Sequence, residues 1–325
     1  MIQDIRSNAV HERGAAHFLE KNTVGAILRG FAGTQESVPA RVKQLLGTVE
    51  MLQTLRHHPE KNTIKRVDIW VASDRARKDH DCGKLAEALV VEIIERDIPN
   101  VWVHEMKHGD IFCQILNRAV AVQLVKGCSH SLILSSEADS NITHDSFACM
   151  LGALDEGALV TGLGFDAIKP YVMQGYIMNT CSLWHNISLM QVGGFDTMCE
   201  QRRLDDPRRS TIPAWDDERR DKAGNILPAD YEYDEHGVEE VPTLIKLLDA
   251  FGEGEDGFEF IAPIPGTGDW NKPDPEKDPM AYARFVNKMG TKWQRMQNWA
   301  YMMHTDISRI RKGVMKKYRQ TSVVA

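Results

Sequence analysis

The sequence predicts an α/β protein built on a mostly parallel sheet with helices on both faces. Four apolar, strand-like runs recur in the first half of the chain, and the segments between them carry apolar residues near the 3.6-residue period of a helix. Strand–helix–strand alternation of this kind places successive strands side by side in parallel. At 325 residues and 36.7 kDa, the chain is long enough for one large α/β domain with an extension, or for two ordinary domains.

The individual elements follow from the same periodicities. The first four predicted strands are residues 24–31, 66–73, 100–106 and 130–136, and the helices between them are 37–55, 82–97 and 110–127. The second half predicts a helix at 143–157, a strand at 158–165, a helix at 238–252, a strand at 258–264 and a last helix from about 280 to 318. The charged stretch 200–237 has few apolar residues and is predicted to be a long surface loop.

Composition narrows the classes of protein that the chain can belong to. A net charge of −7 argues against a nucleic-acid partner, because such binders usually carry a basic face. No apolar stretch approaches the ~20 residues that span a bilayer, and the polar N-terminus lacks the apolar core of a signal peptide. Six scattered cysteines without a C-x-x-C pair predict reduced thiols in a cytoplasmic protein.

Acidic residues follow two of the predicted strands. Glu137 and Asp139 come directly after the apolar run in "HSLILSSEADSN", and Asp74 follows the second strand. Acids are good turn formers, which is one explanation for their position. The other is a ligand site, because ligands of parallel sheets bind at the carboxyl ends of the strands. Two carboxylates can hold a divalent cation and through it a diphosphate, and oxygen ligands suit Mn²⁺ or Mg²⁺ better than zinc.

Four features in a fixed order resemble the glycosyltransferases of the GT-A fold, particularly glycosyltransferase family 2. They are the strand–helix half, the acids Glu137-Ala138-Asp139, the Gly-Gly-Phe-Asp sequence 193–196 in "LMQVGGFD", and the pair Glu239-Glu240 at the start of "VEEVPTLIKLLDAFG". The resemblance covers residues 24–264. It departs from the family pattern in two places. The first acid of the metal motif, Glu137, is Glu where the family has Asp, and the family's Glu-Asp pair is Glu239-Glu240 here, with a rival at Glu255-Asp256.

The resemblance implies a role for each matched residue. Asp139 and Glu137 would bind Mn²⁺ or Mg²⁺ and the diphosphate of a nucleotide sugar. Asp74 and Asn117 would bind the nucleotide, and Arg29, at the end of the first strand, would meet donor phosphate or base. The turn of Gly193, Gly194, Phe195 and Asp196 would border the acceptor. Glu240, or second Glu239, would be the general base for an acceptor hydroxyl.

The implied protein is a metal-dependent glycosyltransferase that uses a nucleotide-diphosphate sugar, a UDP-sugar being expected, and inverts the anomeric centre. Residues 1–264 would form the GT-A nucleotide-sugar-binding and catalytic domain, with an N-terminal helix at 1–21 and an acceptor-side loop at 200–237. Residues 265–325 would form a linker and a C-terminal helical extension. The acceptor, whether glycan, lipid-linked or small molecule, stays open, as does a homo-oligomer.

Three alternatives remain for the activity. A sugar-phosphate nucleotidyltransferase would share the sheet and the metal site, and a non-catalytic relative would bind nucleotide sugar or glycan without turnover. Residues 104–108 read His-Glu-Met-Lys-His, the zinc-peptidase signature, although the flanking residues favour a strand over the required helix.

The basic segment 309–319 adds a question about location. As a helix it would carry Ile310, Val314, Met315 and Tyr318 on an apolar face that can lie on an anionic membrane, giving peripheral contact at the inner face. A solvated basic helix end or an oligomer contact is the simpler interpretation.

Overall fold

The structure is a computed structural model with one sheet between two layers of helices. It describes residues 23–30, 35–58, 61–72, 82–106, 112–134, 142–164, 177, 181–196, 239–252, 259–265, 274–277, 279, 282, 296, 299–300 and 303–319. The strands are β1 (Val24–Gly30), β2 (Arg56–His58), β3 (Lys61–Ala72), β4 (Val101–Met106), β5 (His130–Leu134), β6 (Val160–Gly164), β7 (Cys181–His185) and β8 (Ile261–Pro265). The α-helices are α1 (Val38–Thr54), α2 (Cys82–Glu95), α3 (Phe112–Val125), α4 (His144–Asp155), α5 (Asn186–Gln191), α6 (Glu240–Phe251) and α7 (Lys316–Arg319).

The described strands form one eight-stranded sheet. Strands β3, β1, β5, β7, β6 and β8 follow one another, while β4 and β2 both pair with β3. Strand β7 runs antiparallel to β5 and β6, and β2 runs antiparallel to β3, whereas β1–β3, β1–β5, β3–β4 and β6–β8 are parallel pairs. The predicted fold class, a mostly parallel sheet with helices on both faces, is therefore confirmed.

Each face of the sheet carries its own hydrophobic core. One core joins alternate residues of the strands, such as Leu28, Ile69 and Leu132, to α1, α2 and α4. The other joins the residues between them, such as Ile27 and Ile133, to α3, α5, α6 and the C-terminal segment. The near-continuous apolar runs follow from this arrangement, because strands that are covered on both faces bury successive side chains.

Gln123, in the last turn of α3, fastens that helix to the sheet. Its side-chain nitrogen donates to the backbone oxygen of Ala26 at 2.9 Å and to Oδ2 of Asp68 at 3.2 Å. Its amide oxygen accepts a hydrogen bond from the hydroxyl of Ser131 at 2.6 Å. A Cβ on Gly25 would lie 2.6 Å from the Gln123 side chain, so the close approach requires glycine there. One amide thus links β1, β3 and β5.

The sequence prediction missed two strands and placed the start of a third too late. Strand β3 begins at Lys61, not at residue 66, and pairs with the short strand β2 in a hairpin. Strand β7 lies in a region where no strand was predicted, and it inserts antiparallel between β5 and β6. Periodicity cannot report strand direction, because parallel and antiparallel buried strands both read as short apolar runs.

The prediction of one helix through residue 318 is wrong for residues 303–319. Residues Ile307–Gly313 form a 3₁₀-helix, Val314 makes a β-bridge with Ile261, and an α-helix follows only at Lys316–Arg319. His304, with a φ of 55°, has the left-handed conformation that interrupts a helix. A continuous helix does not form here because Val314 pairs with Ile261 of strand β8 instead.

The apolar residues of this segment also have a different role from the one predicted. Ile310 and Val314 are buried in the core, and Met315 and Tyr318 pack against core residues. The interpretation of 309–319 as an amphipathic helix with an apolar membrane face is therefore wrong. Among the described residues, no helix combines the length and apolar composition needed to cross a bilayer. The N-terminal segment 1–21 and the loop 200–237 lie outside the described residues.

Two neighbouring histidines, the buried His130 and the partly buried His185, lie where β5 and β7 pair. His130 and His185 are register partners with ring centroids 5.1 Å apart. Nδ1 of His130 lies 2.8 Å from the hydroxyl of Ser129, and Nδ1 of His185 lies 2.8 Å from that of Ser188. Burial, and next the charge of His185, lower the pKa of His130 to about 3, while burial lowers the pKa of His185 to about 4.

We expect this pair to make the protein sensitive to mild acid. Both histidines have lower pKa values folded than unfolded, so the unfolded state binds more protons and the free energy of unfolding falls below pH 6.5. At pH 4.5 each would contribute about 2–3 kcal/mol of destabilisation. Urea titrations of the wild type and of a His130→Gln/His185→Gln double variant measure the slope. The exposed His144→Gln variant is the control, and an equal slope in all three proteins would contradict the prediction.

Candidate functional site

The carboxyl ends of the parallel strands define the edge where a ligand site is expected. Strand β5 ends at Leu134, three residues before Glu137, and β3 ends at Ala72, two residues before Asp74. Glu137, Asp139 and Asp74 themselves lie outside the described residues. Because β3 and β5 flank β1 in parallel, the two strands that precede these acids end at the same edge of the sheet.

Arg29 lies at the end of strand β1, close to this edge of the sheet. It is the penultimate residue of β1 and lies opposite Trp70 of β3 in the parallel register. Partner residues of adjacent strands place their side chains on one face, so Arg29 belongs to the face that α3 covers, as Trp70 does. Its half-buried side chain therefore lies near the predicted edge.

Asn117, in the second turn of α3, is joined to the Gly-Gly-Phe-Asp turn. Its side-chain nitrogen donates to the backbone oxygen of Phe195 at 2.9 Å, and its amide oxygen accepts from the backbone N–H of Phe195 at 2.7 Å. The side-chain amide of Asn117 thus pairs with both backbone groups of Phe195, as a neighbouring strand would, although the two residues are 78 positions apart in the chain. The structure gives Asn117 a role in shaping this turn, which the sequence did not suggest.

The turn itself depends on both glycines. Gly193 and Gly194 have φ values of 85° and 73°, the left-handed region that glycine adopts at little cost. A Cβ on Gly194 would collide with the amide of Asn117, whereas a Cβ on Gly193 would meet nothing within 4 Å. Phe195 is buried edge-on against Trp184, with centroids 5.1 Å apart and an interplanar angle of 81°.

An ion pair joins the turn to helix α6. Nζ of Lys246 lies 3.0 Å from Oδ2 of Asp196, and both side chains are partly buried. The three segments that the resemblance singled out, namely Asn117, the turn 193–196 and the helix that begins with the Glu pair, therefore form one connected unit. Sequence order alone did not establish this proximity.

Helix α6 begins at Glu240, directly after its N-cap residue Glu239. Its last residue, Phe251, packs on Phe260, with ring centroids 6.4 Å apart, just before the amino end of β8. The start of the helix lies eleven residues earlier, and at 1.5 Å per residue this is about 16 Å toward the carboxyl ends of the strands. Glu239 and Glu240 are buried, with 4% and 5% of their surface exposed. The rival pair Glu255-Asp256 lies outside the described residues.

A buried polar network beside this unit was not predicted. Asp68 of β3 is fully buried and accepts two hydrogen bonds from the Arg66 guanidinium, at 2.7 and 2.6 Å. His104 Nε2 lies 2.7 Å from Oδ1 of Asp68, and its ring stacks on Trp70 at 4.3 Å. Burial raises the pKa of Asp68, but hydrogen bonds from His104 and Arg66, together with the charge of Arg66, bring it below its usual value. The only sign of this network in the sequence is an acidic residue within the apolar run "RVDIWVA".

The same observation contradicts the zinc-peptidase alternative. His104 and Glu105 belong to strand β4, so their side chains project to opposite sides of the backbone. The zinc-peptidase signature needs both histidines on one face of a helix. His104 instead pairs with Asp68. Among the described residues, no three His, Cys, Asp or Glu side chains are grouped so that they could hold a metal ion.

Comparison with known proteins shows structural similarity at low sequence identity. No protein-family model and no curated protein matches the chain. Among solved structures, a cytidylyltransferase from Leptospira borgpetersenii serovar Hardjo-bovis is similar at 10% identity and a TM-score of 0.34, over 53% of this chain and 63% of the other. A mannosyltransferase from Pyrobaculum calidifontis, solved with GDP-Man and Mn²⁺, is similar at 11% identity and a TM-score of 0.38, over 94% of this chain and 86% of the other. Similarity at this level establishes neither a shared fold nor a shared activity.

Proposed function

We propose that this protein is a GT-A glycosyltransferase that moves a sugar from a nucleotide-diphosphate sugar to a hydroxyl acceptor. The observation that carries the proposal is the connected unit of Asn117, the turn 193–196 and helix α6. Its hydrogen bonds and ion pair hold the acceptor-side turn against the helix that begins with Glu239 and Glu240. Strand β5 ends at Leu134, three residues before Glu137, so Glu137 and Asp139 would follow the carboxyl end of a parallel strand.

The donor half of the proposal rests on the residues that follow the strands. Glu137 and Asp139 would hold Mn²⁺ or Mg²⁺, since two carboxylates provide the hard oxygen ligands that these cations prefer. When bound, such a cation neutralises charge on a departing diphosphate. Asp74 would hydrogen-bond the nucleotide, and Arg29 would place a positive charge near donor phosphate or base.

The acceptor half assigns one proton transfer to the chain. Glu240 would accept the proton of the acceptor hydroxyl while that oxygen forms a bond to the anomeric carbon. The bond from this carbon to the diphosphate oxygen breaks on the opposite side, so the configuration inverts and a nucleoside diphosphate leaves. Asn117 and Lys246 would act through the turn, by fixing Phe195 and Asp196 beside the acceptor.

A thermal-shift panel of nucleotide sugars, with and without Mn²⁺, tests donor binding. We expect a UDP- or GDP-sugar to raise the melting temperature only when the cation is present, and Asp139→Asn to abolish this shift. Glu240→Gln should keep the shift and lose transfer and donor hydrolysis by about 10²-fold or more, because only the proton acceptor is removed. Exposed Glu95→Gln is the matched control on another helix.

Other outcomes would assign a different function. Release of pyrophosphate from a nucleoside triphosphate and a sugar phosphate would identify a nucleotidyltransferase. A metal-dependent shift without transfer or hydrolysis under any condition would identify a non-catalytic binder. The absence of any shift with every nucleotide sugar would contradict the proposal as a whole.

A further inference from the structure

Trp70, on strand β3, carries a buried N–H group that no described residue pairs with. Only 6% of the residue is exposed, yet its indole Nε1 has no hydrogen-bond acceptor among the described residues. Buried N–H groups are nearly always paired in folded proteins, because an unpaired one gives up its hydrogen bonds to water without replacement. A ligand with an acceptor oxygen would pair this donor when it binds.

A second buried tryptophan of the same core shows the usual arrangement. Trp184, on strand β7, is fully buried, and its Nε1 donates to the hydroxyl of Ser182 at 2.7 Å. Both indoles belong to the core on the α3 face of the sheet. The two residues therefore differ in the acceptor rather than in burial, which makes Trp184 a matched reference for Trp70.

Trp70 lies close to the edge of the sheet at which the nucleotide is proposed to bind. It is two residues before Ala72, where β3 ends, and this is about 7 Å along the strand. In the parallel register it is the partner of Arg29 on β1 and of His104 on β4, so the three side chains share one face. Arg29 is the residue proposed to meet the phosphate or base of the sugar donor. The unpaired N–H thus belongs to the same row of side chains.

The indole of Trp70 is held in one orientation by the buried polar network beside it. The ring of His104 stacks on it, with centroids 4.3 Å apart and an interplanar angle of 13°. Nε2 of His104 lies 2.7 Å from Oδ1 of Asp68, which also accepts two hydrogen bonds from Arg66. Rotation of the indole toward another acceptor would break the stack. A donor that is fixed in this way binds a ligand at a lower cost in entropy than a mobile one.

The surroundings of the indole favour a neutral acceptor over a charged one. Trp70 belongs to a core of apolar side chains, among them Ile27 and Met106. A phosphate oxygen is costly to bury among such groups, whereas a carbonyl oxygen costs much less. In the proposed function the diphosphate is also bound elsewhere, by the cation at Glu137 and Asp139. The acceptor that fits Trp70 is therefore a carbonyl oxygen.

We propose that the indole N–H of Trp70 donates a hydrogen bond to a ring carbonyl oxygen of the donor's nucleobase, an inference that rests on the proposed function. Uracil, cytosine and guanine carry such an oxygen, and adenine has none. An adenine nucleotide would leave the N–H unpaired, so the contact selects against it. One neutral hydrogen bond is expected to change affinity by about three- to tenfold.

Isothermal titration calorimetry with UDP, GDP and ADP in the presence of Mn²⁺ tests this selection. Trp70→Phe keeps an aromatic ring and removes the N–H, so it should weaken the tighter of UDP and GDP about three- to tenfold and leave ADP unchanged. Trp184→Phe is the matched control, because it removes an N–H that is already paired with Ser182, and it should leave all three affinities unchanged. Unchanged affinity for UDP and GDP in Trp70→Phe, or an equal loss for ADP, would overturn the proposal.

Unfolding in urea tests whether the N–H is unpaired in the free protein. Both variants remove similar atoms from a buried ring, but only Trp184→Phe also breaks a hydrogen bond within the protein. We therefore expect the unfolding midpoint of Trp184→Phe to fall further than that of Trp70→Phe. A fall as large for Trp70→Phe would show that its N–H already has a partner in the free protein, which would overturn the proposal.

Indole N–H resonances of ¹⁵N-labelled protein report the contact itself. The Trp70 peak is the one that is missing from the spectrum of Trp70→Phe, and in the wild type it should shift when UDP or GDP is added with Mg²⁺. Nucleotide binding that leaves this peak unmoved would overturn the inference and leave the proposed function standing. Failure of every nucleotide to bind the wild type would overturn both.

Discussion

Replacing Asp68 by alanine is expected to destabilise the protein by about 3–5 kcal/mol, as is typical when one partner of a buried ion pair is removed. Asp68 is fully buried, and Arg66 keeps only 6% of its surface exposed. Without the carboxylate, the guanidinium would be buried without its counter-ion, and the side chains of His104 and Gln123 would lose an acceptor. Urea unfolding at pH 7 measures the change.

Asp68→Asn separates charge from hydrogen bonding in this network. The amide fits the same space but removes the negative charge and one acceptor for Arg66, so a loss between that of alanine and zero is expected. Removing the exposed carboxylate in Glu95→Ala is the control and should change stability by less than about 0.5 kcal/mol. If Asp68→Ala changed the free energy of unfolding as little as this, the network would not stabilise the fold.

Gly194→Ala is expected to disrupt the turn far more than Gly193→Ala. Both residues have positive φ, so alanine costs about 1 kcal/mol of backbone strain at either position. At Gly194 the added Cβ would also collide with the Asn117 amide, which must move and release the N–H and C=O of Phe195. Losing these hydrogen bonds adds about 2–3 kcal/mol.

The two alanine variants form a matched pair that isolates the Asn117 contact. Unfolding free energies should differ by about 2 kcal/mol or more, with Gly194→Ala the less stable. Under the proposed function, Gly194→Ala should also reduce transfer much more than Gly193→Ala, because the acceptor-side turn would be displaced. Equal losses for both variants would show that strain alone matters and that the amide contact does not shape the turn.

The sequence by itself determined the secondary structure that packs around the sheet. Helix α2 was predicted at 82–97 and spans Cys82–Glu95, and β4 was predicted at 100–106 and spans Val101–Met106. These elements were predictable because their apolar spacing is a local property that burial on a sheet requires. Helix α6 was likewise predicted at 238–252 and spans Glu240–Phe251.

The roles of Asn117, Asp68 and the C-terminal segment were decided only by the tertiary structure. Asn117 and Phe195 are 78 positions apart, and no local pattern reports that their polar groups meet. Asp68 is a charged residue within an otherwise apolar strand, and its burial is explained only by its contacts with Arg66, His104 and Gln123. Val314 looked like part of an amphipathic helix, and its pairing with Ile261 overrode that preference. In each case the deciding energy comes from contacts between distant segments, which form only when the sheet has brought those segments together.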